Sequence, residues 1–410
     1  MERTYEPGER AYHHSAETYE NKLAAAAPVV KEKLDNMVGR ARAESAAVVE
    51  KLLHEAEVRR DFLLPGEELD WGWEDGNVVV THDRIAAATQ RPHLIATDWA
   101  RGQLWQRLRV PAAFMDGLVA EARETFDDGQ PKPVAVLARG TMHDLLDNLK
   151  YRWDDKRVLL REVDGAVRGL LSDSYQPVDQ SALVNGFVSA CEEIAARDAV
   201  EVLPLSGSYI TDKAYGLRAL RGEIIEPLPN EPMVLGIQLS SSEYGCGSTE
   251  VRLTLTRMWC TNTAIGESVL RKVHLDAGLR ESSGGLIEFS ERTLRLNSAA
   301  VVSGMKDSIA SVLCAAGRDR VMKHIREAAE TKVDAKSLAE GAARRGVLRK
   351  SDVERVVEIV RNEDRFDVLP NTTNRESRLR YANALSWLAQ QKPADERLAL
   401  EAESGRVLVG

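Results

Sequence analysis

The spacing of apolar residues changes period along the chain, and each change marks a change of element. From Ala16 to Phe62, residues Leu23, Val30, Leu34, Met37, Val48, Leu52 and Leu53 recur at three- and four-residue steps over an alanine-rich background. That pattern predicts a long amphipathic helical arm. Pro28 is expected to break or restart it, and Pro65-Gly66 to end it. Trp71-Gly72-Trp73 and Asp75-Gly76-Asn77 then lead into Val78-Val79-Val80 as a hairpin. Thr97 is a suitable N-cap for a helix to Leu108, and a second helix follows from Ala112 to Phe126. The run Val134–Leu137 reads as a short strand, and Met142–Leu149 as a helical turn.

The centre of the chain has period two. Val158–Val163 and Ala166–Leu171 flank Asp164-Gly165, the turn chemistry of a tight hairpin. Asp179 then caps a helix through Leu183, Phe187, Cys191 and Ile194. Short strands are expected at 199–205, 209–210, 217–220 and 223–225. Val234–Leu239 and Val251–Met258 form a second strong hairpin around Gly245–Ser248, and Val269–Leu275 with Leu286–Phe289 a third. Helical spacing returns from Val301 to Ile325 and continues in Ala335–Arg345, Ser351–Asn362 (with Ser351 as cap) and Thr373–Gln391. Residues after Pro393 read as a tail. The expected architecture is α+β: a central antiparallel β-hairpin sheet with packed helices, an N-terminal helical arm and a helical C-terminal part. It divides into an arm (1–64), a small mixed segment (65–150), the central sheet domain (151–330) and the helical C-terminal region (331–410).

At 410 residues the chain can bury a sizeable core. Cys191, Cys246, Cys260 and Cys314 lie far apart with no C-x-x-C pair, which argues against structural zinc and a disulfide scaffold. A reduced cytoplasmic setting fits, and no apolar run is long enough for a membrane span. The net charge of −9 leaves only a local basic face for binding a polyanion. Between Gly317 and Arg380, sixteen Lys/Arg stand against twelve Asp/Glu, an excess of four in a chain acidic elsewhere.

No nucleotide-loop, dinucleotide, zincin or nucleophile-elbow motif occurs, so no cofactor is implied. Ser172, Asp173, Tyr175 and Asp179 cluster beside a hairpin exit. Asp173 with Glu243 would offer a divalent metal hard oxygen ligands, while turn and cap roles are the plainer alternative. Cys260 at a strand end is either a nucleophile or a small buried hydrophobe. Gly245–Ser248 is either a hairpin tip or a backbone nest for an anion. Trp71 and Trp73 would either stack on bases or cap a small core. Arg161, Arg168, Arg252 and Arg257 on hairpins, with Arg344, Arg345 and Arg349 between helices, would track a phosphate backbone if they share one face. Otherwise they are solvated polar positions.

Two blocks carry a resemblance. One is Ser242-Glu243-Tyr244-Gly245-Cys246-Gly247-Ser248, followed by Arg257-Met258-Trp259-Cys260-Thr261-Asn262; the other is Gly169 to Asp179 upstream. Together they resemble a phage/plasmid-like family of unknown function (domain of unknown function 932), over about residues 95–315 and more weakly to Gln391. That family pairs an S-E-x-G-x-G-S hairpin with an R-x-x-C-x-N strand end. Thr263 and Cys246 depart from it, where glycines are usual. The residues matching its motifs are Ser172, Asp173, Tyr175, Glu243, Gly245, Gly247, Ser248 and Asn262. The resemblance implies a phage or prophage context and supplies no mechanism. The order of hairpins and helices is similar to that of phage single-strand annealing proteins. The expected function is therefore non-enzymatic binding of single-stranded DNA in replication or recombination. The alternatives are an assembly protein that forms a homo-oligomer through its arm, and a metal-dependent enzyme using Asp173 and Glu243.

Overall fold

The computed structural model describes residues 19–149, 157–173, 175, 178–228, 231–258, 263–273, 291–362 and 376–409. Two six-stranded sheets organise the chain. The first is built from β1 (Arg60–Pro65), β2 (Asp70–Glu74), β3 (Asn77–Thr81), β4 (Leu94–Ala96), β5 (Arg157–Val163) and β6 (Ala166–Ser172), in the order β1-β5-β6-β4-β3-β2. Every neighbouring pair is antiparallel except β4 and β6. Its apolar face, with Leu64, Trp71, Val80 and Leu160, packs on helices α3 (Asp98–Leu108), α4 (Ala112–Ala122) and α5 (Pro133–Leu149) through Trp105, Met115 and Met142. The short helix α2 (Asp83–Thr89) links β3 to β4.

The second sheet is antiparallel throughout. Its order is β12 (Thr263–Val273), β11 (Ser248–Arg257), β10 (Met233–Ser241), β9 (Tyr215–Ile225) and β7 (Val202–Pro204), with β8 (Tyr209–Ile210) also paired to β9. Leu217, Ala219, Ile237, Leu239 and Val251 bury one face against α6 (Gln180–Asp198) and α7 (Glu291–Leu313). Each such leucine or isoleucine contributes about 1.5–3 kcal/mol. Ile225, Met233 and Leu255 join a separate core made by α8 (Ala315–Glu330), α9 (Ala335–Arg344), α10 (Val353–Asn362), α11 (Arg378–Ala389) and α12 (Ala394–Val409).

The arm is the long helix α1 (Tyr19–Val58), and it belongs to the fold. Leu34, Met37 and Val38 pack on Leu205, Leu220, Val234 and Met258, and Leu52 enters the α6–α7 core. Among the described side chains, the part of the stripe from Leu34 to Leu53 that suggested self-association is thus packed within the chain itself.

Several sequence expectations change. The helix runs through Pro28, which forfeits one backbone bond without ending it. It stops at Val58 rather than Phe62, because residues 60–65 pair with β5 and that pairing overrides local helical preference. Residues 134–137 are helical: Ala135, Ala138 and Met142 bury one helix face, and a four-residue apolar run cannot by itself distinguish strand from helix. The strands expected at 217–220 and 223–225 are one strand, β9. Ser351 lies inside a short 3-10 turn ahead of α10. The expected tail after Pro393 is α12, where buried Glu401 and Ser404 sit among Leu400, Val407 and Leu408 and disguise the stripe. Thr97 and Asp179 do cap their helices. The expected boundary at 150/151 falls within the first sheet, since β5 and β6 pair with β1 and β4. Cys260, Asn262 and the strand expected at 286–289 lie outside the described residues.

Candidate functional site

The two sequence blocks that carry the resemblance meet where the two sheets join. Arg161 stands directly opposite Asp61 across β1 and β5. Its Nε and Nη2 each donate to a different oxygen of Asp61 at 2.8 Å. Its Nη1 reaches into the β10–β11 loop, donating to the carbonyl of Glu243 at 2.7 Å and to Glu243 Oε2 at 2.8 Å. Arg59 Nη1 donates to the same Oε2 at 2.7 Å. Glu243 is fully buried, and its Oε1 has no hydrogen-bond partner among the described residues. Burial pushes its carboxyl up, against the pull of Arg161 and Arg59.

A second ion pair braces the same loop. Arg168 Nη1 bonds Glu55 Oε1 at 3.0 Å, its guanidinium lies 4.7 Å from the centre of the Tyr244 ring, and Tyr244 Oη donates to Glu55 Oε2 at 3.1 Å. Trp99 Nε1 and Gln103 Nε2 both donate to the Tyr244 carbonyl, at 2.7 and 2.8 Å. Gln103 Oε1 also accepts from the amide of Leu170, tying helix α3 to both β6 and the loop.

The loop amides are consumed internally. Tyr244 N and Cys246 N donate to Ser242 Oγ, and Gly245 N donates to the Tyr175 hydroxyl, which in turn donates to the Ser242 carbonyl at 3.0 Å. The loop therefore offers no anion nest through these three groups. Gly245 has φ 80°, and a Cβ there would lie 2.7 Å from Leu171 Cδ2. Glycine is required by both the backbone angle and the close approach of the sheets. Gly247 also has a positive φ, but a Cβ there would meet nothing. Ser248 Oγ donates to Glu250 at 2.6 Å.

The structure brings Tyr175, Glu243 and Gly245 together and leaves Ser172 and Asp173 at the rim. Asp173 is exposed beside Arg107, whose guanidinium burial holds below its ordinary value. Among the described residues no group of three His, Cys, Asp or Glu is placed to hold a metal. Glu243, held by two arginines, faces away from that task. Trp71 is buried in the first core and Trp73 packs partly buried against it, so Trp71 presents no face to a base.

The expected arginine track is divided. Arg161 and Arg257 are buried, Arg257 in a two-point pair with Glu231 at 2.7 Å. Arg168 is nearly so, and Arg252 is paired with Glu250. A phosphate cannot reach the first two without breaking the fold. The C-terminal arginines differ. Arg344 and Lys350 are exposed and carry no ion pair among the described residues. Arg345 and Arg406 share Glu403, and Arg349 pairs with Glu396, with all three side chains about half exposed or more. The guanidiniums of Arg344 and Arg345 both lie within 4 Å of a Cβ built on Gly341. The end of α9 and the turn after it form a basic edge, which α12 meets with Glu396, Glu403 and Arg406.

Sequence reasoning missed Glu55, Arg59, Asp61, Trp99 and Gln103. Glu55 carried a signal, since it falls three residues after Leu52 on the apolar stripe of the arm. No family model, curated protein or solved structure matches the chain.

Proposed function

We propose that the chain binds single-stranded DNA without chemistry, in a phage replication or recombination setting, through the basic edge at Arg344, Arg345, Arg349 and Lys350. The observation that supports this reading is that Arg344 and Lys350 are exposed with no acidic partner among the described residues, beside half-exposed arginines held in place by single glutamates. Two unpaired cations next to oriented guanidiniums suit a flexible phosphate backbone, which is recognised by charge rather than by base edges. The hairpin arginines have no part in it. The two motif blocks meet at the sheet joint, where their role is to lock the fold rather than to bind a ligand.

The test is anisotropy of a labelled oligothymidylate titrated with protein at rising salt. Binding should weaken steeply with salt, with a log–log slope of about −0.7 for each phosphate contacted. Replacing Arg344, Arg345 and Arg349 together by alanine should flatten that slope by about 2. No binding to single-stranded or duplex DNA at low ionic strength would overturn the reading and favour the assembly protein.

A further inference from the structure

The helical hairpin of α4 and α5 buries Met115 and Val119 on one helix and Ala138 and Met142 on the other, so it is anchored to the first sheet. Its outward side is unusual. Among the described residues nine large apolar side chains are exposed, and five of them, Phe114, Phe126, Val134, Val136 and Leu137, fall on this hairpin and its tip. Leu137 is 71% exposed, Val136 57%, and Phe114 and Phe126 52% each. Gly117 and Gly140 on the same two helices are open positions, where an added Cβ would meet nothing within 4 Å. Exposed apolar side chains beside such open positions leave an uncovered apolar helix face, of the kind that accepts the apolar stripe of another helix.

The charge on the two helices and their connection says which partner. Residues 111–149 hold seven Asp/Glu against three Lys/Arg, a formal charge of −4. All three bases are engaged within the chain: Arg123 donates to the Gly76 carbonyl at 2.8 Å, Lys132 to Glu124 at 3.1 Å and Arg139 to the Ala122 carbonyl at 2.8 Å. Glu121, Asp127, Asp144 and Asp147 carry no ion pair among the described residues. A second copy brought face to face would set like charges together, and a polyanion would be repelled.

We propose that this face docks a basic amphipathic helix of a partner protein, its apolar stripe on Phe114, Val136 and Leu137 and its Lys/Arg flanks on the unpaired carboxylates. The surface is separate from the basic edge at Arg344, so the two activities can fail independently.

The experiment uses the full chain and two synthetic helical peptides with the same leucine stripe, one with lysine and the other with glutamate on the polar face. The labelled lysine peptide should bind saturably, more weakly as salt rises, and at least tenfold tighter than the glutamate peptide. Val136→Ser with Leu137→Ser should weaken it at least tenfold. Gly140→Trp, which adds bulk at an open position one turn from Leu137, should do the same, and circular dichroism confirms the fold of both variants. Equal binding of the two peptides, or unchanged binding by the folded Gly140→Trp variant, would overturn the proposal. So would a concentration-dependent dimer by sedimentation that Gly140→Trp abolishes, since that would assign the face to a second copy.

Discussion

The arginines of the sheets and the arginines of the C-terminal helices look alike in sequence and behave as opposites in the structure. Arg161, Arg218 and Arg257 lie buried on strands, and each is paired with a buried carboxylate: Glu243, Glu401 and Glu231. Arg344, Arg345 and Arg349 lie at a helix end and the turn after it, where a long side chain reaches water whatever the core does. Buried ion pairs are costly to form and costlier to half-remove, so they orient elements more than they stabilise them. The exposed set costs little to keep and is free to meet a ligand. What separates the two groups is the layer above each arginine, and strand periodicity alone does not reveal that layer.

The sharpest way to break this comparison is to remove one buried guanidinium. Arg161→Met leaves Asp61 and Glu243 facing each other without their shared cation, which should cost about 3–5 kcal/mol. Urea unfolding reads it directly, and an unchanged midpoint would place Arg161 among the dispensable surface charges. Gly245→Val should cost about 1–3 kcal/mol, through a strained φ and the contact with Leu171. Gly165→Val acts on a turn where Asp164 and Gly165 both have positive φ and Arg91 lies against the glycine, and it should cost about as much. A melting temperature unmoved by both would show that neither turn has the described geometry.

The Glu231–Arg257 pair gives a pH signature. Burial pushes the Glu231 carboxyl from its ordinary 4.5 up to about 7, against the pull of Arg257. The folded protein therefore holds this proton over a range where the unfolded chain has lost it, and the group's contribution to stability falls as pH rises from 4.5 through 7. Glu231→Gln should remove that slope, a difference on the order of 3 kcal/mol between its ends. Parallel stability curves for wild type and Glu231→Gln across that range would contradict it. The smallest effect is expected at the other pole of the comparison. Arg344→Ala with Arg345→Ala and Arg349→Ala should change stability by less than about 1 kcal/mol, since exposed pairs contribute that little.

Much of the fold was legible from periodicity. The Asp164-Gly165 and Gly245–Ser248 turns, the Thr97 and Asp179 caps and the helical C-terminal part all follow from residues whose local preference agrees with their final place. The misses have a common cause in long-range pairing. Residues 60–65 become a strand because β5 lies beside them, and α12 hides its stripe behind Glu401 and Ser404, which find partners in Arg218 and Ser386. At the joint, Tyr175, Glu243 and Gly245 were singled out by pattern. Glu55 and Arg59 were not, because each is an ordinary surface residue until the β10–β11 loop meets it, and Asp61 stays exposed beside Arg161 on the neighbouring strand.

The division between structural and ligand-facing arginines is tested most directly by arginine-selective dicarbonyl labelling of the folded chain, read by peptide mass spectrometry with and without an oligothymidylate at low salt. Arg344, Arg345 and Arg349 should label in the free protein and be protected by the oligonucleotide, while Arg161 and Arg257 stay unlabelled in both. Labelling of Arg161 in the folded protein, or an oligonucleotide that protects none of the three C-terminal arginines, would contradict the account.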